Sequence, residues 1–127
     1  MPTAQDVMTT DVVMIEGDAT VLAAMQKMRD EDVRCLVVNR RDASDAYGMI
    51  TQRDICYKVL AKGEDPAKHK VHEIMSKPLV VVNKDLDVKY VARLMANMGL
   101  SRAPVIFEGG VQGIVSLSDV IDAHLNG

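Results

Sequence analysis

Two stretches of this chain pair a hydroxyl with a carboxylate at a spacing of three residues. Gly48-Met49-Ile50-Thr51-Gln52-Arg53-Asp54-Ile55 returns 65 positions later as Gly113-Ile114-Val115-Ser116-Leu117-Ser118-Asp119-Val120. Each copy reads glycine, two apolar residues, a hydroxyl, two variable positions, aspartate and an apolar residue. The apolar pair predicts a short buried strand, and the hydroxyl stands where that strand ends. Asp54 and Asp119 then fall one turn into a helix. Hydroxyl and carboxylate at that spacing share one side of the first turn. There they either cap the helix or face a ligand. In the second case the hydroxyl and the N–H groups of the first turn meet a phosphate, while the carboxylate accepts from sugar hydroxyls.

The elements that must hold these residues follow from the pattern along the chain. Residues 6–15 predict a helical turn and a short strand. Asp18 or Thr20 is placed to cap a helix whose Val21, Leu22, Met25 and Met28 recur at helical spacing up to about Asp30. Residues 33–39 predict a strand, 40–45 a polar hairpin loop and 47–51 the returning strand. Residues 52–62 predict a helix with Ile55, Val59 and Leu60 on one face and Gly63 as its stop. A polar stretch around Pro66 reads as a linker, after which the pattern restarts. A shift of 67 aligns Met8 with Met75, Val13 with Val80, Asp18 with Asp85 and Val38 with Val105, and the shift drops to 65 after the hairpin. The length change falls in a polar loop, where it is tolerated. The expected organisation is a repeat at 6–62, a linker at 63–72 and a second repeat at 73–125, each β-α-β-β-α. So small a unit cannot bury both faces of its sheet alone. The two copies are therefore expected to pack sheet to sheet about a pseudo-twofold axis, leaving two matching clefts.

Composition excludes several functions. The net charge is −3 over 127 residues, and there is no Trp. Neither the field nor the stacking platform of a nucleic-acid binder is present. No apolar run approaches the roughly 18 residues that span a bilayer, and residues 1–6 lack the pattern of a signal peptide. The reading is a cytoplasmic protein with two buried, reduced thiols, Cys35 and Cys56. His69, His72 and His124 do not cluster at metal-ligand spacing. No nucleophile can be set beside a base, so the chain is not read as an enzyme. Arg40 and Arg41 read as solvated loop charges.

The doubled Gly-apolar-apolar-Thr/Ser-x-x-Asp motif in a tandem β-α-β-β-α repeat resembles the CBS (cystathionine-β-synthase) domain pair, over about residues 6–122. Val7-Met8-Thr9 and Ile74-Met75-Ser76 at the repeat starts support the resemblance, as does Leu100-Ser101-Arg102-Ala103-Pro104-Val105. Repeat 1 departs from the family at Val37, where repeat 2 has Pro104. The resemblance implies an α+β fold and a regulatory module that binds an adenosine ligand between the repeats: AMP, ADP or ATP, with NAD or S-adenosylmethionine as further possibilities. It implies no resident cofactor, no metal and no catalytic residue.

Carried onto this chain, the resemblance gives Asp54 and Asp119 the ribose hydroxyls, and Thr51 and Ser116 phosphate or ribose. Backbone at 10–13, including Thr10 and Val12, and at 77–80 would read the adenine edge. Arg34, Arg53, Arg102 and Lys77 are the nearest phosphate charges, with Ala103 and Pro104 beside them. Each has a plainer reading: caps for the hydroxyls and carboxylates, surface charges for the basic residues, a strand start for Pro104. Arg53 faces Ser118 in the repeat alignment, which makes the two sites unequal. The bound state would be read by an unidentified partner protein. A homodimer is expected, its face drawn from Ile55, Val59 and Leu60 together with Val120, Ile121 and Leu125. The alternative is a partner-binding scaffold with vestigial sites.

Overall fold

The computed structural model describes residues 1–77 and 79–126; Pro78, within the 77–80 stretch assigned to the adenine edge, lies outside them. The chain forms two compact units, Val13–Leu79 and a unit of Met1–Val12 with Val80–Gly127. These units are offset from the sequence repeats. The segment that precedes the first strand of each repeat belongs to the unit built around the other repeat's hairpin.

In the unit spanning Val13–Leu79, β1 (Met14–Ile15) runs parallel to β2 (Cys35–Val38), and β2 runs antiparallel to β3 (Gly48–Thr51). Between β1 and β2 lies α2 (Val21–Asp30). Thr20 caps it by accepting the Ala23 N–H at 3.0 Å, and Val21, Ala24 and Met28 form its buried stripe. They pack with Leu36, Ile50, Ile55 and Val59 into one core. The helix predicted over 52–62 is divided. Its α-helical part, α3, is Gln52–Lys58, and a 3-10 turn at Leu60–Lys62 ends on Gly63 with φ +70°. Val59 leaves helical geometry at the joint and is fully buried. Ile55 and Val59 are therefore core residues rather than a dimer face, and only Leu60 of that predicted trio is exposed. The linker is fastened to this unit. The His69 carbonyl accepts the Val21 N–H, and the ring stands between Glu64 and Glu73. The short α4 (Val71–Ile74) follows, and Ser76 then pairs with the edge of β3 at Met49.

The second unit begins with α1 (Ala4–Val7), held by hydrogen bonds from the Ala4 N–H to the Leu86 carbonyl and from the Val88 N–H to the Pro2 carbonyl. Thr9 pairs with Ile114 through two 2.9 Å bonds. Asp87 caps α5 (Val88–Met98), which buries Val91 and Met95 and stops at Gly99 with φ +67°. The hairpin of β4 (Arg102–Phe107) and β5 (Gly110–Ser116) turns through Glu108 and Gly109, both at positive φ, as a two-residue loop matching strand twist requires. The last helix, α6 (Leu117–Asn126), buries no residue fully and exposes Leu117, Ile121 and Leu125 at successive turns.

The predicted first strand of repeat 2 is reduced to a single parallel bridge, Val82 to Val105. Pro104 explains this. In the other unit the Val37 N–H donates to the Val13 carbonyl and extends the ladder. Pro104 occupies the matching place and has no N–H to offer Val80. Pro104 is thus an interior residue of β4, fully buried, and not a strand start. The expectation of two buried thiols is also corrected: Cys56 is exposed and Cys35 half-buried.

Candidate functional site

Each hydroxyl–carboxylate pair forms where a strand runs directly into a helix. At the end of β3 the Thr51 backbone is extended, while Gln52 begins α3. The Thr51 hydroxyl oxygen accepts the Asp54 N–H at 3.1 Å, and one carboxylate oxygen of Asp54 accepts from the Thr51 N–H and hydroxyl, both at 3.0 Å. This is a reciprocal capping box. The other oxygen of Asp54 is paired with Lys58 at 3.2 Å, and Lys58 also donates to the Ile74 carbonyl. The whole carboxylate is therefore engaged inside its own unit.

The second copy is wired differently. Asp119 accepts the Ser116 N–H at 2.8 Å, and the Asp119 N–H donates to the Ser116 hydroxyl oxygen at 3.2 Å. Among the described residues the remaining donor to Asp119 is the hydroxyl of Thr9, at 3.1 and 3.3 Å from its two oxygens. Alanine, Ala123, stands in the repeat position of Lys58. Neither Thr9 nor Lys58 is among the site residues the sequence points to. Lys58 was readable as an i, i+4 partner of Asp54. Thr9 carried no local signal, because it reaches Asp119 across 110 positions.

The remaining predicted residues divide between the units. Thr10 and Val12 share a unit with Ser116, Asp119, Arg102, Ala103 and Pro104, whereas Lys77, Arg34 and Arg53 share one with Thr51 and Asp54. Arg102 is the cross-strand partner of Ser116, so the two side chains share one face of the ladder. The partner of Thr51 is Cys35, which places no cation there. Ala103 and Pro104 are buried in the core. Arg34 is exposed and lines a groove of about 560 Å³ with Met25, Cys56 and Leu60. Arg53 lies over the Tyr57 ring at 5.8 Å.

Lys77 is committed to Asp45 at 2.7 Å, and Asp45 also accepts from the backbone N–H and Nε of Arg41. The Lys77 ammonium first, then the Arg41 donors, hold the Asp45 carboxyl well below its ordinary 3.8. A folded-state pKa below the unfolded one stabilises the fold above the unfolded value and is lost as pH falls through the folded value. Asp45→Asn is therefore expected to lower the melting temperature by nearly the same amount at pH 7 and at about pH 5, with the gap closing progressively as pH falls below about 4. Thermal unfolding of both proteins across that range checks this. A gap already closing above about pH 5 would contradict the assignment.

The family model for the CBS domain matches residues 4–61 and 71–126. An uncharacterized protein of Methanopyrus kandleri is 31% identical over 121 residues, covering 94% of this chain and 61% of that protein, so the chain spans about three fifths of that relative. Hypoxic response protein 1 of Mycobacterium tuberculosis is 32% identical over 120 residues, covering 94% of this chain and 83% of that protein. A hexameric CBS-CP12 protein from bloom-forming cyanobacteria superposes with a TM-score of 0.91 at 48% identity, covering 95% of this chain and 70% of that one. Two family-model matches, a mixed α+β architecture and a doubled strand-to-helix motif agree, and the chain belongs to the CBS domain family as a tandem pair.

Proposed function

We propose that this CBS pair is a regulatory module that binds an adenosine ligand and passes the bound state to a partner protein by a shift between conformations. AMP, ADP and ATP are the first candidates, with NAD and S-adenosylmethionine behind them. The observation that carries this reading is the Thr9 hydroxyl on the Asp119 carboxylate. A capping carboxylate that also takes a distant hydroxyl is an acceptor set for hydroxyl donors, the role that two ribose hydroxyls would fill. Arg102 beside Ser116 adds a cation suited to a phosphate. The module acts as a cytoplasmic homodimer, or a larger assembly of such dimers, and performs no chemistry on its ligand.

Calorimetry of the wild-type chain with each of the five ligands tests the reading. Saturable heat with at least one of them is expected, at about one ligand per chain because Asp54 is already engaged by Lys58. No heat with any of them overturns it. That outcome would favour a partner-binding scaffold, for which the exposed Leu117, Ile121 and Leu125 stripe speaks.

A further inference from the structure

A cavity of about 630 Å³ opens at the hairpin end of the β1–β2–β3 sheet, away from the hydroxyl–carboxylate elements. Its rung of the ladder is Val38 opposite Gly48, whereas Thr51 stands opposite Cys35. Three residues of strand separate them, about 10 Å. Four basic side chains line the cavity: Arg40, Arg41, His72 and Lys77. Arg40 is half-buried, with its guanidinium 5.3 Å above the Tyr47 ring, so it is not the solvated loop charge its sequence context suggests. Lys77 has a side chain only 24% exposed and is fixed by Asp45, the same carboxylate that anchors the more exposed Arg41. Glu16 and Asp18 also line the space; they are exposed, as are Arg41 and His72, so solvent screens all four, and Arg40 and Lys77 are the more sheltered charges.

The repeat comparison shows that this feature is not part of the duplicated element. The positions matching Arg40, Arg41, His72 and Lys77 in the other unit are Phe107, Glu108, Gln5 and Thr10. The longer hairpin of repeat 1 supplies both arginines, Asp45 and Tyr47. Cations converge here on a space of ligand size, while the two-residue turn of the other unit carries none.

We propose that this cavity is a second binding site, for a small phosphate-bearing molecule. Two guanidinium forks and an ammonium offer more donors than a single carboxylate accepts, and they match the three oxygens and near-double charge of a phosphate. The phosphate either arrives free, as orthophosphate or pyrophosphate, or belongs to an organic phosphate.

The test is nuclear magnetic resonance of the full-length chain, following backbone amides during titration with inorganic pyrophosphate, glucose 6-phosphate and adenosine in separate arms. Pyrophosphate or the sugar phosphate is expected to move the amides of 16–18, 39–41 and 72–77, and the stronger of the two identifies the source. In the Arg40→Ala/Arg41→Ala variant its affinity is expected to fall about tenfold or more, with part restored by lysines at both positions. Phosphate shifts confined to 51–54 or 116–119, no shift with either phosphate, or unchanged affinity in the alanine variant would overturn the proposal. Adenosine carries no phosphate, so its failure to bind would count against the nucleotide reading alone.

Discussion

Gly113→Val is expected to lower the melting temperature by roughly ten degrees, the equivalent of about 2–3 kcal/mol. A Cβ built on Gly113 would meet Met8 at 2.4 Å from Sδ, 2.6 Å from Cγ and 3.0 Å from Cβ. The first two contacts could yield to a rotation of a flexible side chain, but the third is tied to the backbone. That backbone cannot retreat, because Thr9 is clamped to Ile114 by hydrogen bonds in both directions. Valine adds two methyl groups to the conflict, outweighing its preference for strands. Met8→Ala in the same chain should recover most of the loss, a coupling that thermal unfolding of the double-mutant cycle measures. A loss of less than about two degrees, or no recovery in the double mutant, would show that the methionine is not what requires the glycine. The matching residue Gly48 is the milder case. There a Cβ would meet Met75 Sδ at 2.8 Å, the movable end of the side chain, and the Ser76 carbonyl at 3.2 Å.

This pair of contacts shows what the sequence could and could not disclose. The alignments of Met8 with Met75 and of Gly48 with Gly113 were legible as repeats. Their mutual contact was not, because each methionine lies about 100 or 30 positions from its glycine. Elements governed by local physics were readable: the Thr20 cap, the stop at Gly63 and the strand-to-helix passage at Thr51 all lie where short-range rules place them. Elements governed by pairing across the chain were not. The shortened first strand of repeat 2 depends on an N–H that Pro104 lacks; the proline and the strand were both visible, but not that they stand side by side. The division of the candidate site was hidden for the same reason. Repeat order groups Thr10 and Val12 with Asp54, but their compact unit is that of Asp119. Apolar periodicity also misassigned Ile55 and Val59, since a stripe shows that a helix face is buried but not what buries it.

Asp119→Ala is expected to abolish the thermal stabilisation given by the adenosine ligand, while Asp54→Ala leaves most of it. A ligand at 100 times its dissociation constant stabilises the folded state by about 2.7 kcal/mol, roughly ten degrees for a chain of this length. The two carboxylates share one motif and differ in engagement. To release Asp54 for a ribose, the ligand must displace the Lys58 ammonium, which also holds the Ile74 carbonyl. To use Asp119 it displaces only a neutral hydroxyl and exchanges it for others of the same kind. The cation within reach also differs, with Arg102 opposite Ser116 and Cys35 opposite Thr51. Without ligand, each alanine variant should lose about 1 kcal/mol as its capping box is removed. The comparison therefore rests on the ligand-induced shift and not on the melting temperature itself. Lys58→Ala supplies the converse: with its ammonium gone, the Asp54 carboxylate regains free acceptor capacity, and calorimetry should show stoichiometry rising toward two ligands per chain. A shift lost only in Asp54→Ala would reverse the ranking of the two sites. A shift surviving in both variants would mean that these carboxylates are helix caps and that the ligand is held elsewhere.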